Sequence, residues 1–433
     1  MRPPRDERGF ATADPVDNVS RSVSKARLLP VEEALEIVLS HVKPLDVEQM
    51  PLLDSLGRVL ATDVEAPYDL PPFDRAAMDG YSLRSVDTMA ASPPTPTVLE
   101  TAGTLVAGDT PRISISSGKC VRIMTGVPIP PGADAVVPLE LVRVDGSSVS
   151  IPAPVKPGAD IFPAGEDARK GEVVLRKGTL MRAPEIGFLA SIGEMCPTVY
   201  RRPSVAIIST GDELVPAEES PPYGKIRNSN AYALAAQVVT YGGLPTILGI
   251  ARDEISSLTE KIQAGLGYDV ILLSGGVSVG DKDLVKEALV EVGTQIVFWK
   301  VAMKPGKPLA FGVNNDTVVF GLPGNPAATM LSFEKFVRPA LLAMSGRTSW
   351  RRPVVTARLA EDIRKSRGRK YFMRAHVWIE GGEFRARTTG SQSSAVLRSM
   401  ILANGLIVAP EEATFIPAGE MVEVELLDQP EAN

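Results

Sequence analysis

A glycine-rich segment in the second half of the chain constrains the fold most strongly. Residues 269–283 read DVILLSGGVSVGDKD, so that the apolar run Val270–Leu273 leads into three glycines and then into a helix-like stretch. Such a run is typical of a strand covered on both faces of a parallel sheet. Glycines permit positive φ, and a helix start presents N–H groups to an anion, so the segment predicts a phosphate-binding turn. A glycine-rich surface loop without a ligand is the alternative. The candidate ligand-binding residues of the turn are Ser274, Gly275, Gly276, Ser278 and Gly280.

Residues 203–346 alternate strand-like and helix-like segments. This alternation is typical of a doubly wound α/β domain with a mostly parallel sheet, in which ligands bind beyond the carboxyl ends of the strands. Polar and glycine residues follow four of the strand-like runs, so we expect their loops to meet at one crevice. Outside the glycine-rich turn, these residues are Thr210–Glu213, Arg252, Asp253 and Gly324–Pro326.

Three lysines lie at the end of a predicted strand of the same domain and in the turn after it. A strand is predicted from Gln295 to Met303, and the alternation along it places Lys300 and Lys304 on one face, with Lys307 next in a PGKP turn. Ammonium groups facing a glycine-rich turn predict a receptor for phosphate or another oxyanion. A solvated lysine edge is the alternative.

Length, charge and composition argue against several protein classes. A chain of 433 residues suggests about three compact units, and a net charge of −6 argues against nucleic-acid binding. No apolar run approaches the ~18 residues that span a bilayer. Two cysteines argue against a disulfide framework and favour a reducing cytoplasm. His41 and His376 are the only histidines, which argues against a structural zinc site and against histidine acid–base catalysis.

The first part of the chain is irregular. Its first 27 residues lack the apolar core of a signal peptide and are predicted to be a disordered tail. A helix is predicted between Pro30 and Pro44. Residues 68–83, YDLPPFDRAAMDGYSL, are too rich in proline, aspartate and glycine for regular structure, and their apolar anchors favour a functional loop over disorder. Short strands separated by glycine and proline then predict a small β domain.

Two further loop positions are candidates. Thr125 directly follows the strand Val121–Met124, where its hydroxyl can meet a ligand or can form an ordinary turn. Asp167 lies in a GED sequence that is either a solvated turn or part of a site.

The chain after residue 346 reads as an all-β tail with a structural or assembly role. The predicted fold is therefore multidomain α/β plus β. The predicted segments are a tail at 1–27, a split linker domain at 28–67 and 154–202, a small β domain at 68–153, an α/β active-site domain at 203–346 and a C-terminal β domain at 347–433.

Seven motifs occur in an order that resembles the molybdopterin molybdenumtransferases, the family of MoeA and the gephyrin E domain. They are PPFDRAAMDGYS, RIMTGVPIPPGADAVV, GED, STGDEL, SGGVSVGDKD, KPGKP and GLPGNP. The resemblance implies a MoCF-type α/β domain, an inserted small β domain, a split linker domain and a C-terminal β-barrel-like domain. It also implies elongated homodimers in which the α/β domain faces the partner's small β domain. The implied reaction inserts molybdenum from molybdate into adenylylated molybdopterin, with release of AMP, in a magnesium- or zinc-dependent step.

The resemblance assigns roles residue by residue. It implies the metal ligands Glu213 and Asp283, with Mg²⁺ (or Zn²⁺) between them and the phosphate oxygens. It implies a molybdopterin adenylyltransferase upstream and molybdoenzyme chaperones downstream, and no nucleic-acid or membrane partner. The implied catalytic residues are Asp79, Thr125, Asp167, Glu213, Asp253 and Asp283, and the resemblance also assigns a role to Lys300 and Lys304. With the residues indicated by the strand and loop patterns, the candidate substrate-binding residues are those of the glycine-rich turn together with Lys300, Lys304, Lys307, Pro323, Gly324 and Asn325.

Two departures from the family pattern concern substrate contacts. Apolar residues precede Gly165 in IFPAGED where many members have basic ones, and Asn228 replaces an aspartate of several relatives. Two rival functions remain: a non-catalytic gephyrin-like scaffold, and a nucleotide-cleaving enzyme that shares only the α/β domain.

Overall fold

The computed structural model describes residues 28–277 and 284–432. These residues form two compact units. The small unit comprises Gln49–Leu56 and Leu60–Val199, and the large unit comprises the chain up to Glu48, Gly57–Val59 and Tyr200–Asn433. The α-helices of the described residues are α1 Val31–Ser40, α2 Ala183–Ser191, α3 Ser229–Thr240, α4 Ile255–Gly265, α5 Leu284–Glu291, α6 Pro326–Ser332, α7 Arg338–Met344 and α8 Arg398–Ile401.

Strands occur throughout both units. Up to residue 200 they are β1 Val47–Gln49, β2 Val64–Glu65, β3 Arg75–Ala76, β4 Gly80–Leu83, β5 Thr97–Leu105, β6 Lys119–Ile123, β7 Ala135–Pro138, β8 Arg143–Asp145, β9 Ser148–Ile151, β10 Ile161–Phe162, β11 Val173–Leu175 and β12 Thr198–Tyr200. Beyond it they are β13 Ser204–Thr210, β14 Leu214–Val215, β15 Ile226–Arg227, β16 Leu244–Ala251, β17 Val270–Ser274, β18 Gln295–Lys300, β19 Met303–Lys304, β20 Pro308–Asn314, β21 Thr317–Leu322, β22 Val354–Leu359, β23 Ile363–Arg364, β24 Lys370–Glu380, β25 Glu383–Thr388, β26 Gly405–Ala409, β27 Phe415–Ile416, β28 Met421–Leu426 and β29 Glu431–Ala432.

A six-stranded sheet in the order β7-β4-β6-β5-β9-β8 forms the small β domain. The expectation that residues 68–83 lack regular structure was wrong, because β4 lies inside the sheet, paired on both sides. Gly80 makes this possible: a Cβ there would lie 2.1 Å from the carbonyl oxygen of Val137. Tyr81 and Leu83 then bury their side chains in the apolar core of the sheet.

The segments before and after this sheet pair with each other. Strand β2 is antiparallel to β11, and β3 is antiparallel to β10. Helix α2 begins at a capping box in which the Arg182 N–H donates to the Glu185 carboxylate at 2.9 Å. The sheet is therefore inserted between two paired chain segments.

The centre of the large unit is a six-stranded sheet in the order β16-β13-β17-β21-β20-β18. The first four strands are parallel and the last two are antiparallel. Two apolar clusters cover its two faces, one including helices α1 and α3 and the other including α4 and α5. The predicted doubly wound α/β domain is confirmed.

The helical segment after the GLPGNP motif is interrupted. Between α6 and α7, residues Phe333–Val337 form a π-helical turn. Pro339 lies in the first turn of α7, and because proline has no N–H it cannot continue the regular i→i−4 ladder.

The C-terminal residues form the predicted β-barrel-like domain. Neighbouring strands pair in the spatial order β22, β25, β24, β26 and β28. Strand β28 also pairs with β22, so the five strands close into a barrel. Alternate side chains of these strands fill its interior.

The prediction of a continuous strand from Gln295 to Met303 was wrong. Strand β18 ends at Lys300 after two register shifts against β20, and β19 belongs to the barrel, where Lys304 lies opposite Tyr371 of the parallel strand β24. Lys300 and Lys304 therefore lie in different sheets, and strand parity does not relate their side chains.

Within residues 28–277 and 284–432, no helix combines the length and the apolar character that crossing a bilayer requires.

The amino end of the central sheet is held by an ion pair. Arg201 donates to both carboxylate oxygens of Asp269, at 2.7 and 2.6 Å, and the Ser204 N–H donates to the same carboxylate at 2.8 Å. Burial raises the pKa of Asp269, but these hydrogen bonds outweigh burial and hold the pKa below its ordinary value.

We expect Asp269→Asn to destabilise the large unit at neutral pH by about 2 kcal/mol, the range for a hydrogen bond to a charged group. A lowered folded-state pKa adds stability that is present above the unfolded pKa of about 3.9 and is lost as the pH falls through the folded value. Thermal denaturation at pH 7 and at about pH 3 should show a smaller deficit at the lower pH, because the contribution begins to be lost below the unfolded pKa. Asp316→Asn, in an exposed hairpin turn, is the control. A deficit of equal size at both pH values would contradict the linkage.

Candidate active site

A cleft of 1330 Å³ in the large unit opens at the carboxyl edge of the central sheet, between that edge and the barrel. Its volume exceeds that of an ordinary small-molecule pocket, about 300–1,000 Å³, and is sufficient for a nucleotide-sized ligand. The structure brings most of the predicted crevice residues to this cleft. Those that line it are Glu213, Asp253, Ser274, Gly275, Gly276, Lys304, Lys307, Pro323, Gly324 and Asn325.

The turn after β17, called the glycine turn here, requires glycine at Gly275 and Gly276. Gly275 and Gly276 have φ of +101° and +69°. A Cβ on Gly276 would lie 2.4 Å from Val285 Cγ2 and 2.8 Å from Thr210 Oγ1. The Thr210 hydroxyl is buried, and no described residue hydrogen-bonds it. The turn is therefore packed against β13 and α5 on one side while its other side faces the cleft.

Asn230, which the sequence pattern did not single out, joins two of the loops. Its side-chain amide donates to Ser274 Oγ at 2.9 Å and to the Gly324 carbonyl at 2.8 Å. Asn228, the departure from the family pattern, is buried; its Oδ1 accepts from Ser209 Oγ at 2.9 Å and caps α3. In the sequence, NSN reads only as a helix start, and nothing local indicates that Asn230 reaches across the sheet.

Two exposed carboxylates line the acidic side of the cleft, Glu213 and Asp253. Glu213 lies so close to Gly211 that a Cβ there would be 2.4 Å from its Oε2. Asp253 accepts from the Asp212 N–H at 3.3 Å, and its own N–H donates to Asp212 Oδ1 at 3.4 Å. The loops after β13 and β16 are thereby tied together.

The barrel supplies the opposite wall, and sequence analysis missed it. Arg374 is fully buried. Its Nε donates to Ser399 Oγ at 3.1 Å and its Nη2 to the Ser393 carbonyl at 3.0 Å, and no ion pair with a carboxylate is found for it among the described residues. Burial lowers the pKa of its guanidinium. The Asn325 amide donates to Ser394 Oγ at 3.1 Å, which joins this wall to the α/β loops.

The charges of the cleft are unbalanced. Against two acidic side chains, the described lining includes a larger basic set, whereas the whole chain carries a net charge of −6. Such local excess concentrates anions. The basic residues are Arg227, Lys304, Lys307, Arg364, Lys365, Arg369 and Arg374.

Three other predicted site residues lie in the small unit. The backbone N–H and the hydroxyl of Thr125 both donate to Asp79 Oδ1, each at 2.8 Å. The hydrogen bond from the Thr125 N–H lowers the pKa of Asp79. Asp167 lies in an exposed loop held against Leu70, whose carbonyl accepts the Asp167 N–H at 2.8 Å. Asp79 and Thr125 therefore form one hydrogen-bonded group.

Three predicted residues of the α/β domain, Asp212, Arg252 and Lys300, do not line the cleft. Lys300 is excluded because its strand ends in the central sheet before the chain turns to the barrel. The predicted site residues Ser278, Gly280 and Asp283 lie outside the described residues.

Models of three domain families match the chain in order. They are the MoeA N-terminal region (domain I and II) at residues 29–193, a "Probable molybdopterin binding domain" at residues 206–343, and the MoeA C-terminal region (domain IV) at residues 356–427.

Curated relatives match almost end to end. The chain is 35% identical over 410 residues to the molybdopterin molybdenumtransferase of Bacillus subtilis (strain 168), covering 94% of this chain and 95% of that protein. It is 36% identical over 407 residues to that of Nostoc sp. (strain PCC 7120), covering 90% of this chain and 92% of that protein. Among solved structures, the molybdopterin biosynthesis moeA protein from Pyrococcus horikoshii OT3 is similar with a TM-score of 0.80 at 33% identity, covering 92% of this chain and 100% of that chain.

The glycine turn gives a prediction that is independent of the ligand. We expect Gly276→Ala to lower the free energy of unfolding, by about 1–2 kcal/mol for the left-handed conformation alone and by more once Val285 is displaced. Gly267→Ala is the matched control, because a Cβ at Gly267 meets open space. Thermal denaturation of the two variants tests the difference. Equal midpoints would show that the turn does not need glycine.

Proposed function

Because this chain belongs to the MoeA family of molybdopterin molybdenumtransferases, we propose that it inserts molybdenum from molybdate into adenylylated molybdopterin and releases AMP. Both curated relatives described above bear the name of this enzyme, and the likeness covers more than nine-tenths of the chain for one of them. The observation that carries the proposal is the basic cleft at the glycine turn, which suits a ligand with several negative charges.

We assign the two reactants to different groups of residues in the cleft. We assign the pyrophosphate of the substrate to the glycine turn, where N–H groups and Ser274 can donate. We assign the molybdate oxyanion to the cationic wall, where Lys304 and Lys307 carry mobile charges and Arg374 carries a fixed one. Charge-assisted hydrogen bonds are roughly twice as strong as neutral ones, which favours an oxyanion over a neutral ligand at this wall. The cleft therefore holds the two reactants side by side.

The donor set of the cleft fits magnesium better than a protein-bound zinc. No group of three His, Cys, Asp or Glu side chains is assembled among the described residues. Mg²⁺ is ordinarily held by one or two carboxylates together with substrate phosphates and water, and Glu213 supplies an exposed carboxylate in the cleft. When bound, the cation would act as a Lewis acid on the phosphate oxygens. Asp283 remains the second proposed ligand beside Glu213.

The residues of the small unit complete the proposed site. Following the family resemblance, we propose that the chain is a homodimer and that Asp79, Thr125 and Asp167 face the cleft of the partner subunit. We also propose a cytoplasmic location, supported by the two free cysteines, and a place between a molybdopterin adenylyltransferase and the chaperones of molybdoenzymes. Sequence similarity over the whole chain argues against an enzyme that shares only the α/β domain, and the assembled anion cleft argues against a purely structural scaffold.

The direct test of the reaction is to incubate the purified protein with adenylylated molybdopterin, molybdate and Mg²⁺ and to measure AMP. We expect Glu213→Gln to reduce AMP release by about 100-fold, as the loss of one group that stabilises a transition state typically does. Asp283→Ala should have a similar effect. Glu218→Gln, at an exposed acid outside the cleft lining, is the control. Unchanged Mg²⁺-dependent AMP release in both active-site variants would refute the assignment.

Subunit mixing tests the shared site. Asp79→Ala and Glu213→Ala should each be inactive, but a mixed dimer would contain one intact composite site. Random exchange should then restore about a quarter of the wild-type activity, because half of the dimers are mixed and each has one working site. Confirmed mixed dimers without activity would show that each site is built within one subunit.

A further inference from the structure

Tyr371 lies beside Lys304, a lysine of the cleft. The two residues are directly opposite in the parallel pair β19–β24. The Lys304 Nζ lies 4.9 Å from the centroid of the Tyr371 ring. Tyr371 is 7% exposed, whereas Lys304 is exposed to the cleft. The buried ring of Tyr371 thus contacts the exposed ammonium group of Lys304.

Tyr371 is itself held from a second side by Lys365. The Lys365 Nζ lies 4.8 Å from the ring centroid and donates to the carbonyl of Ala413 at 2.7 Å. The Ser366 N–H donates to the phenol oxygen at 3.3 Å. The ring therefore cannot turn without breaking contacts on the barrel side.

The phenol oxygen acts as an acceptor. Burial raises the pKa of Tyr371, but hydrogen bonds from Ser366 and Lys304 outweigh burial and hold the pKa below its ordinary value.

We propose that Tyr371 is a positioning residue for Lys304, holding its ammonium group at the place where the oxyanion binds. An exposed lysine loses up to about 2 kcal/mol of side-chain entropy when a ligand immobilises it. A lysine already held by a buried aromatic ring loses less on binding, so preorganisation strengthens the oxyanion site without adding a contact to the ligand. The inference rests on the proposed function, since it identifies the oxyanion as molybdate.

The test compares Tyr371→Leu with wild type. Leucine keeps an apolar side chain in the barrel but removes the aromatic ring that contacts the Lys304 ammonium group. We expect the half-saturating molybdate concentration to rise three- to tenfold, while the maximal rate and the half-saturating concentration of adenylylated molybdopterin stay unchanged. Tyr371→Phe, which keeps the ring, should retain most of the affinity for molybdate. In a Lys304→Gln background Tyr371→Leu should have no further effect, because the group that the ring positions is gone. Tyr268→Leu, at a partly buried tyrosine that does not line the cleft, is the matched control.

Equilibrium dialysis of molybdate alone against the full-length wild type and Tyr371→Leu gives a readout that does not depend on turnover. The same three- to tenfold weakening there supports the positioning role even if no AMP is formed, a result that would refute only the proposed function. Three outcomes overturn the inference: unchanged molybdate affinity, equal weakening for molybdate and for the pterin nucleotide, or the same weakening in the Lys304→Gln background. A lower thermal midpoint with loss of both substrates likewise assigns Tyr371 a structural role.

Discussion

The parallel register of the central sheet is the constraint on which the site depends. Ser209 of β13 lies opposite Ser274 of β17, and Ser274 lies opposite Leu322 of β21. Parallel strands in register end at the same edge, so the loops after them start within one strand spacing of each other. The glycine turn, the two carboxylates and the GNP loop are therefore neighbours because of pairing deep in the core. A slip by one residue would move the side chains of the slipped strand to the opposite face of the sheet and would shift its loop along the sheet edge.

The second wall of the cleft depends on the point where the chain leaves this sheet. After Lys300 the chain passes to the barrel, and β19 pairs with β24, the strand that also carries Tyr371 and Arg374. A buried guanidinium without a paired carboxylate among the described residues is costly in the absence of an anion. This cost is a physical reason to propose that the barrel wall of the cleft receives an anion.

Local signals made much of this fold predictable. The apolar run before the glycines, the alternation of strands and helices and the all-β tail are patterns of neighbouring residues, and each is confirmed. Gly80–Leu83 was missed because the prolines and aspartates around it hide a short central strand that only close contact with Val137 explains. Lys300 was placed by strand parity, which fails where β18 carries two register shifts and then ends. Asn230, Tyr371 and Arg374 could not have been found from local pattern, because each acts across elements distant in the chain.

In the proposed reaction, one cleft joins the cleavage of an adenylate to the capture of molybdenum. The ratio of AMP released to molybdenum bound in the pterin product, measured in a single turnover with excess enzyme, tests this coupling. We expect one AMP for each molybdenum atom, and little AMP when molybdate is withheld. AMP formed at full rate without molybdate, or product containing molybdenum without AMP, would show that the two events are not coupled.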